Sequence, residues 1–376
     1  MADNINEISL TTLKEIYPKV VEDNFFRNAP FLAYMRDHCL VPFGGGEVMQ
    51  NTFMYKAMIG GFYARGDNFV LTKPQTLAGT YFDPKFVYVN VTEYQEDVQV
   101  VNKGPLAVFS LIDTDLRNAM NTISTICAIA MSRHGQPTGT GIVGNRPKAI
   151  NGWIEAINDG VTPGWDGSYF TAYGTQTRNA TIGSALNSVP LWCGNPSGGT
   201  GIIGYAMMEE AYQDATIGNE EPDLITMNKA AYAYFKERLE PKQRIMEKDP
   251  IWGVTGFRFN NAMVLKDDYF PSLRYGANDP GLGSWLTGSI STTGITTPSQ
   301  SNMPSNTATL TVGEVVAMFN TKKWLVRIAD DEEFGFGFSG FKPAQDNTRV
   351  AGQIKAMINL QCTAPRLNKQ LFGIGG

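Results

Sequence analysis

Two segments carry the spacing of a phosphate-cradling glycine loop, Gly139-Thr-Gly-Ile-Val-Gly144 and Gly199-Thr-Gly-Ile-Ile-Gly204. Such a loop holds a pyrophosphate only where a strand enters it, a helix leaves it and an acidic residue ends the next strand. Glycine then lets backbone N–H groups reach the anion at the helix N-terminus. The first segment follows a long helical pattern, so its entry is wrong. The second precedes a helical pattern but emerges from the loop-like Asn195-Pro-Ser-Gly-Gly, and Glu220-Glu221 stands before the next strand pattern, not after it. Both segments read as flexible glycine linkers. Imidazole chemistry has only His38 and His134 to draw on. His38 adjoins Cys39 and is expected to pack, while His134 sits with Arg133 at the end of a helical pattern, where a cation suits the helix dipole. No Ser-His-Asp or Cys-His pairing follows from the spacing. Cys39, Cys127, Cys193 and Cys362 lie far apart without a C-x-x-C, which indicates neither a disulfide scaffold nor a zinc site. The acidic run Asp330-Asp-Glu-Glu333 reads as a solvated face before it reads as metal ligands. With Phe334-Gly-Phe-Gly-Phe338 beside it, it also fits a subunit contact, the aromatics anchoring and the carboxylates pairing with a neighbour's Lys56, Arg65 or Lys73. No catalytic, cofactor-binding or metal-binding residue is assigned.

At 376 residues and 43% hydrophobic content, the chain can bury the cores of two or three subdomains. A net charge of -5 and a pI near 5.3 exclude a DNA binder that works by neutralising many phosphates, though not local contacts. Met1-Ala2-Asp3-Asn4 lacks the basic and apolar regions of a secretory signal, and no apolar run approaches the roughly 20 residues that span a bilayer. The expectation is a protein made inside the cell, without a membrane partner.

The elements that must position these residues follow from periodicity. Thr12 and Glu15 form a capping box, and Leu13, Ile16, Tyr17, Val20 and Val21 continue at helical spacing. Asn28 to Met35 is an uncharged apolar patch, and Pro42-Phe43-Gly44-Gly45-Gly46 predicts a hinge. From Met49 to Met58 and from Phe86 to Tyr94 the chain is β-prone, with a loop from Gly60 to Pro84 between the runs. The two runs predict a long hairpin with few apolar partners of its own. An isolated two-stranded ribbon is marginal in water, so it needs a neighbour to lie on. Ser110 and Asp113 form a second capping box, followed at helical spacing by Leu116, Ala119, Met120, Ile123, Ile126, Cys127, Ala130 and Met131. That predicts a helix of about 24 residues, roughly 36 Å long, stopped by Gly135 and Pro137.

Residues 139–204, rich in Gly, Ser, Thr and Asn, read as an insertion with short strands. A helix from Tyr205 to Thr216, a strand from Asp223 to Met227 and a helix capped by Asn228 and carrying Tyr232, Phe235 and Leu239 predict a mixed α/β layer. A strand at Ala262 to Leu265 leads into Lys266-Asp-Asp-Tyr-Phe-Pro271. Residues 276–309 read as a second insertion, an exposed loop. Strands at Lys323 to Ile328 and Ile354 to Cys362 close the chain, the last alternating so that one face is half-buried.

This order of parts resembles the major capsid proteins of tailed bacteriophages, which share the Hong Kong 97 capsid fold with encapsulin nanocompartments. Three stretches look like family segments: Glu220-Glu-Pro-Asp-Leu-Ile-Thr-Met-Asn228 with its helix, Gly256 to Asp268, and Val350 to Arg366 ending in Pro-Arg. The resemblance implies an α+β fold. Its parts would be an N-terminal arm (1–44), an extended hairpin or E-loop (45–101), a P domain with a long spine helix (102–137 and 345–376) and a mixed A domain (138–344). It implies no enzyme activity and no cofactor. The implied function is self-assembly into hexamers and pentamers of an icosahedral head that encloses double-stranded DNA, located in the virion and assembled in the bacterial cytoplasm. Implied partners are other copies of the chain, a separate scaffolding protein and a portal, with a decoration protein left open. Some members cross-link an E-loop Lys to a P-domain Asn; Lys56, Lys73 and Asn359 have the right types, but ordinary surface roles fit them better. An encapsulin shell around an enzyme cargo is the alternative, with a tail or adhesion protein and a nucleotide-dependent oxidoreductase as further readings.

Overall fold

The computed structural model describes residues 29–55, 58–69, 71–94, 111–132, 150–162, 164–165, 170–178, 192–198, 202–239, 246–248, 255–271, 314–331, 334–343 and 348–374. Its helices are α1 (Pro30–Cys39), α2 (Leu111–Met131), α3 (Trp153–Ala156), α4 (Tyr205–Ala215) and α5 (Lys229–Leu239). The strands of the first half are β1 (Leu40–Phe43), β2 (Met49–Met54), β3 (Leu77–Phe82), β4 (Phe86–Tyr94), β5 (Ala172–Tyr173), β6 (Gln176–Thr177) and β7 (Asn195–Gly198). Those of the second are β8 (Leu224–Met227), β9 (Met246–Lys248), β10 (Thr255–Phe259), β11 (Ala262–Lys266), β12 (Glu314–Phe319), β13 (Trp324–Ala329), β14 (Gly335–Phe338), β15 (Lys342–Pro343), β16 (Arg349–Cys362) and β17 (Lys369–Ile374).

Two sheets dominate. One runs β7-β17-β12-β8-β11-β10-β9, and its interior strand β12 is buried along its whole length. Side chains alternate across a strand, so Val315, Ala317 and Phe319 enter the main core on one face. Val316 and Met318 meet a second core on the other, where α4 and α5 contribute Met208, Tyr212, Ala231 and Phe235. In the six-stranded sheet, β16 pairs along one edge with β13, β14 and β15 in turn, while β4 pairs with Arg349 to Met357 along the other. Helix α2 lies on this sheet, Ala119 and Ile123 packing against Val91, Ile354 and Ala356. The sheets draw strands from across the expected boundaries. β17, within 345–376, belongs to the seven-stranded sheet, and β13, within 138–344, to the six-stranded one.

Several expectations need correction. The predicted hairpin pairs the wrong strands: β2 pairs with β3, inside the expected loop, and the β-prone run Phe86–Tyr94 lies on β16 instead. β-propensity marks a strand but not its partner, and β4 gains more by burying Val91 under α2. The end of the expected arm is a wall of the core. In α1, Phe31, Met35 and Cys39 form a buried i, i+4, i+8 stripe, and β1 pairs in parallel with β13. The first insertion is not peripheral either, since Trp153, Trp165 and Trp192 are all buried in the main core. Glycine-rich connections around them hid that role. The last strand is buried on both faces from Met357 onward, not half-buried, and β12 and β17 have no counterpart in the sequence reading.

Helix α2 spans 21 residues, the body of the expected long helix. Strand β8 and helices α4 and α5 stand within a residue or two of where capping and periodicity put them. Asn228 Oδ1 accepts the Ala231 N–H at 2.8 Å, the predicted cap. The expected helix after Thr12, the segment Gly139–Gly144, His134 and residues 276–309 lie outside the described residues. Among the described residues no helix is long and apolar enough to cross a membrane.

Candidate assembly surface

The feature that sets this chain apart from a self-contained globule is the β2–β3 hairpin. Its base is clamped. Met49 and Phe82 are buried in the main core, and Phe53 stacks on Trp192 with centroids 4.1 Å apart and planes 11° from parallel. Asn51 Nδ2 donates to Gln361 Oε1 at 2.8 Å, tying β2 to β16. On the other strand, Gln176 Nε2 donates to Gly79 O and the Tyr81 N–H to Gly174 O, at 2.6 and 3.0 Å. Gly174 has φ +57, and a Cβ there would lie 2.6 Å from the Phe82 ring, so the β5–β6 turn needs glycine to approach this closely. Gly44 and Gly45 lie in open space, and Gly45 and Gly46 are at positive φ, as a chain reversal requires. These contacts hold both strands of the base, as far as Phe53 and Gly79.

Past that clamp the hairpin exposes eight large apolar side chains: Met54, Met58, Ile59, Phe62, Tyr63, Phe69, Leu71 and Leu77. Phe62 is fully exposed and Leu71 is 94% exposed. Within the tip, Tyr63 and Phe69 meet edge to face at 5.1 Å and Asp67 Oδ2 accepts the Ala64 N–H at 2.5 Å, so the turn has its own structure. Arg65 and Lys73 are exposed in the same segment. Contiguous exposure of this kind marks an interaction surface.

A second surface feature is a cleft of about 570 Å³ between α1, α2 and the six-stranded sheet. Leu32, Ala33, Met120, Ser124, Ile328 and Phe336 line it. Its floor is braced by Asp267, which is buried and caps α1 in place of the side-chain cap that Ala29 lacks. Oδ2 accepts the Phe31 N–H at 2.9 Å and Oδ1 the Tyr269 N–H at 2.7 Å. Tyr269 in turn meets the Thr125 hydroxyl of α2 at 3.3 Å. Burial, aided by neighbouring Asp268, pushes the Asp267 carboxyl up to about 6 against the backbone hydrogen bonds that pull it down.

The residues singled out from sequence have more ordinary surroundings. β7 does run into Gly199–Gly204 and α4 does leave it, so the strand that the sequence reading took for loop is present. Topology still departs from a dinucleotide site, because β17 and β12 separate β7 from β8 in the sheet. Glu220 is bound to Lys323 at 2.9 Å and Asn320 at 3.1 Å, which hold it below the usual carboxylate range. His38 is exposed and stacks on Tyr34 at 4.0 Å. The four cysteines are free and buried, and burial pushes Cys39, Cys127 and Cys362 up to about 12, far from thiolate chemistry. Asn359 is fully buried, its Nδ2 donating to Asp83 O and Asn151 Oδ1, so it is a core strut and not a surface cross-linking partner. Lys56 lies outside the described residues.

The acidic run and its aromatics divide. Asp330 and Asp331 are exposed, whereas Phe334 packs on the main core and Phe336 on the α2 cluster. A register shift in the β14–β16 pairing, with Phe336 at φ +67, turns that ring inward. Both rings are thus partly buried within the subunit, and Phe336 also lines the cleft. Sequence reading missed the exposed apolar side chains of the hairpin, because hydrophobic residues in a loop between strands look like ordinary core material until their surroundings are known.

No family model and no curated protein matches the sequence. Solved structures do match, over nearly the full length of both chains. The cyanophage A-1(L) capsid superposes with a TM-score of 0.56 at 11% identity, over 96% of this chain and 97% of that one. The capsid of Helicobacter pylori bacteriophage KHP30 gives 0.55 at 11%, over 99% and 98%. The SrpI encapsulin of Synechococcus elongatus PCC 7942 gives 0.53 at 9%, over 98% and 95%. The chain thus has a shell-protein fold. It is the mixed α/β fold common to these phage capsids and this encapsulin, in keeping with the resemblance drawn from the sequence.

Proposed function

We propose that this chain is a major capsid protein, the subunit of an icosahedral phage head that encloses double-stranded DNA. The observation that carries the reading is the hairpin tip. A chain with a shell-protein fold exposes eight large apolar side chains on a segment that no described residue of the chain covers. Each such side chain contributes roughly 1.5–3 kcal/mol when buried, so closing the tip over a second subunit favours association strongly. In this reading the hairpin is the E-loop and α2 is the spine helix of a P domain built with the closing strands. The seven-stranded sheet with α4 and α5 belongs to the A domain, whose contacts gather subunits into hexamers and pentamers. Residues 1–44 contribute the arm, whose last part, α1 and β1, is built into the core. A separate scaffolding protein and a portal complete the assembly, and the mildly acidic chain encloses DNA without adhering to it tightly.

Electron microscopy of the purified chain, alone and coexpressed with the product of a neighbouring scaffolding gene, tests the proposal. Closed particles are expected in at least one condition; a monodisperse monomer in both removes the reading. The likeness to the SrpI encapsulin favours one second reading, a shell that holds protein. Particle contents separate the two: nuclease-protected DNA supports the phage head, and a single co-purified enzyme supports the nanocompartment.

A further inference from the structure

We propose that Asp267 is a proton-controlled latch on α1, holding that helix against the core in acid and favouring its local release as the solution becomes neutral. The inference stands independently of the shell reading. Its basis is where one carboxyl group sits. Asp267 follows β11, and its own N–H donates to Met227 O at the end of β8 at 3.0 Å, which fixes it to the seven-stranded sheet. Oδ2 accepts the Phe31 N–H of α1, and Oδ1 accepts the N–H of Tyr269, whose hydroxyl meets Thr125 of α2. One side chain thus ties a sheet and two helices. It is also the cap that Ala29 does not supply. Apart from this tie, α1 is held mainly along one stripe, Phe31, Met35 and Cys39, while its Leu32 and Arg36 border the open cleft of about 570 Å³ toward α2. A helix covered on one side and facing a cleft on another is an element that can leave without unfolding the whole chain.

The charges around Asp267 leave it without a counter-ion. Among the described residues no cationic side chain bonds to it, and Lys229 of α5 pairs with the adjacent Asp268 at 2.8 Å instead. Glu314, beyond Asn228, adds a second carboxyl group to this corner. Lys266 lies over the Tyr232 ring. Of the charged groups of α1, Arg36, Asp37 and His38 are exposed toward its far end, and on α2 Asp115 and Arg117 stand two or more turns before Thr125. The helix dipole and the backbone N–H groups favour the anion, but desolvation prevails, so the docked carboxyl titrates near 6. Once α1 leaves, water reaches the group and its ordinary value of 3.8 returns. The docked form therefore binds the proton more tightly. Its advantage is complete below pH 4 and is lost as the pH rises through 6, which raises the opening constant about tenfold between pH 5 and pH 7.

Hydrogen exchange on the unassembled full-length chain tests the latch, with protection corrected for the intrinsic exchange rate at each pH. Amides of α1 are expected to open far more often than those of β12, and to gain about tenfold in protection from pH 7 to pH 5. Asp267→Asn should remove that gain while leaving α1 less protected than β12. Equal protection of α1 and β12 would mean that α1 opens only with the whole chain and overturns the proposal; so does a pH dependence that persists in the variant. His38→Gln is the control for the imidazole on the same helix. It should keep the pH dependence, and its loss there moves the switch to His38 and overturns the assignment. Cys39 gives a second readout that needs no variant, because it is buried on the stripe of α1. Its alkylation rate in the unaltered chain, divided by that of free cysteine at the same pH, is expected to rise about tenfold from pH 5 to pH 7. A flat ratio sinks the latch even if Asp267→Asn fails to fold.

Discussion

At the scale of single residues, two buried polar groups carry more than their size suggests. Asp267 is ionised at neutral pH at the cost of desolvation, and its carboxyl titrates near 6 in the folded chain against an ordinary 3.8. The folded state therefore binds the proton more tightly than the unfolded one, so this group's contribution is largest below pH 4 and is lost as the pH rises through 6. At roughly 1.4 kcal/mol per tenfold change in proton affinity, the loss approaches ~3 kcal/mol. Asp267→Asn is expected to abolish that part of the pH dependence, read as the difference in urea midpoint between wild type and variant from pH 4 to 7. Parallel curves would show that the carboxyl does not titrate there. Arg178 is the second group. It is buried and donates to the backbone carbonyls of Glu155, Ala156, Asn158 and Trp192. Arg178→Met leaves those acceptors unsatisfied and is expected to cost about 3–5 kcal/mol in chemical denaturation, far above a surface substitution.

At the scale of elements, the hairpin divides into a clamped base and a free tip. Hydrogen exchange on the unassembled chain is expected to be slow at Asn51 to Phe53 and at Gly79 to Tyr81, and fast from Ile59 to Phe69, with a sharp change near Met54 and Leu77. Trp192→Ala removes the ring that Phe53 stacks on and opens a core cavity, a loss of roughly 3–5 kcal/mol. It should also speed exchange at the hairpin base more than at β8 or β12. Uniform acceleration across the chain would mean that Trp192 supports the whole core and not the clamp in particular.

For the molecule as a whole, stability and assembly are separable because the tip takes no part in the monomer's core. Phe62→Asp is expected to leave the thermal midpoint of the unassembled chain within about 1 °C, since exposed substitutions change stability by less than roughly 0.5 kcal/mol. The same change should reduce particle yield by an order of magnitude, measured by sedimentation. A variant that assembles normally would place the decisive contacts elsewhere. Charge reversal at exposed Asp330 in the same assay is expected to lower yield less than the change at Phe62 does, because an exposed ion pair in water contributes little.

Local sequence determined the elements whose signals are local. The stripe from Leu116 to Met131 and the cap at Asn228 made α2 and α5 legible, since periodicity and capping act over a few residues. The scarcity of histidine, the dispersed cysteines and the order of the parts also pointed toward a shell subunit and away from chemistry. Tertiary structure decided which strands pair, because β4 leaves the predicted hairpin for β16, far away in the chain, and the two-sided burial of β12 and β16 depends on the elements packed over them. It also decided which apolar residues face solvent. Burial is a property of what surrounds a side chain, so Phe336 and Phe62 look alike in sequence, yet one is partly covered against α2 through a β-bulge and the other is left at the tip of the hairpin.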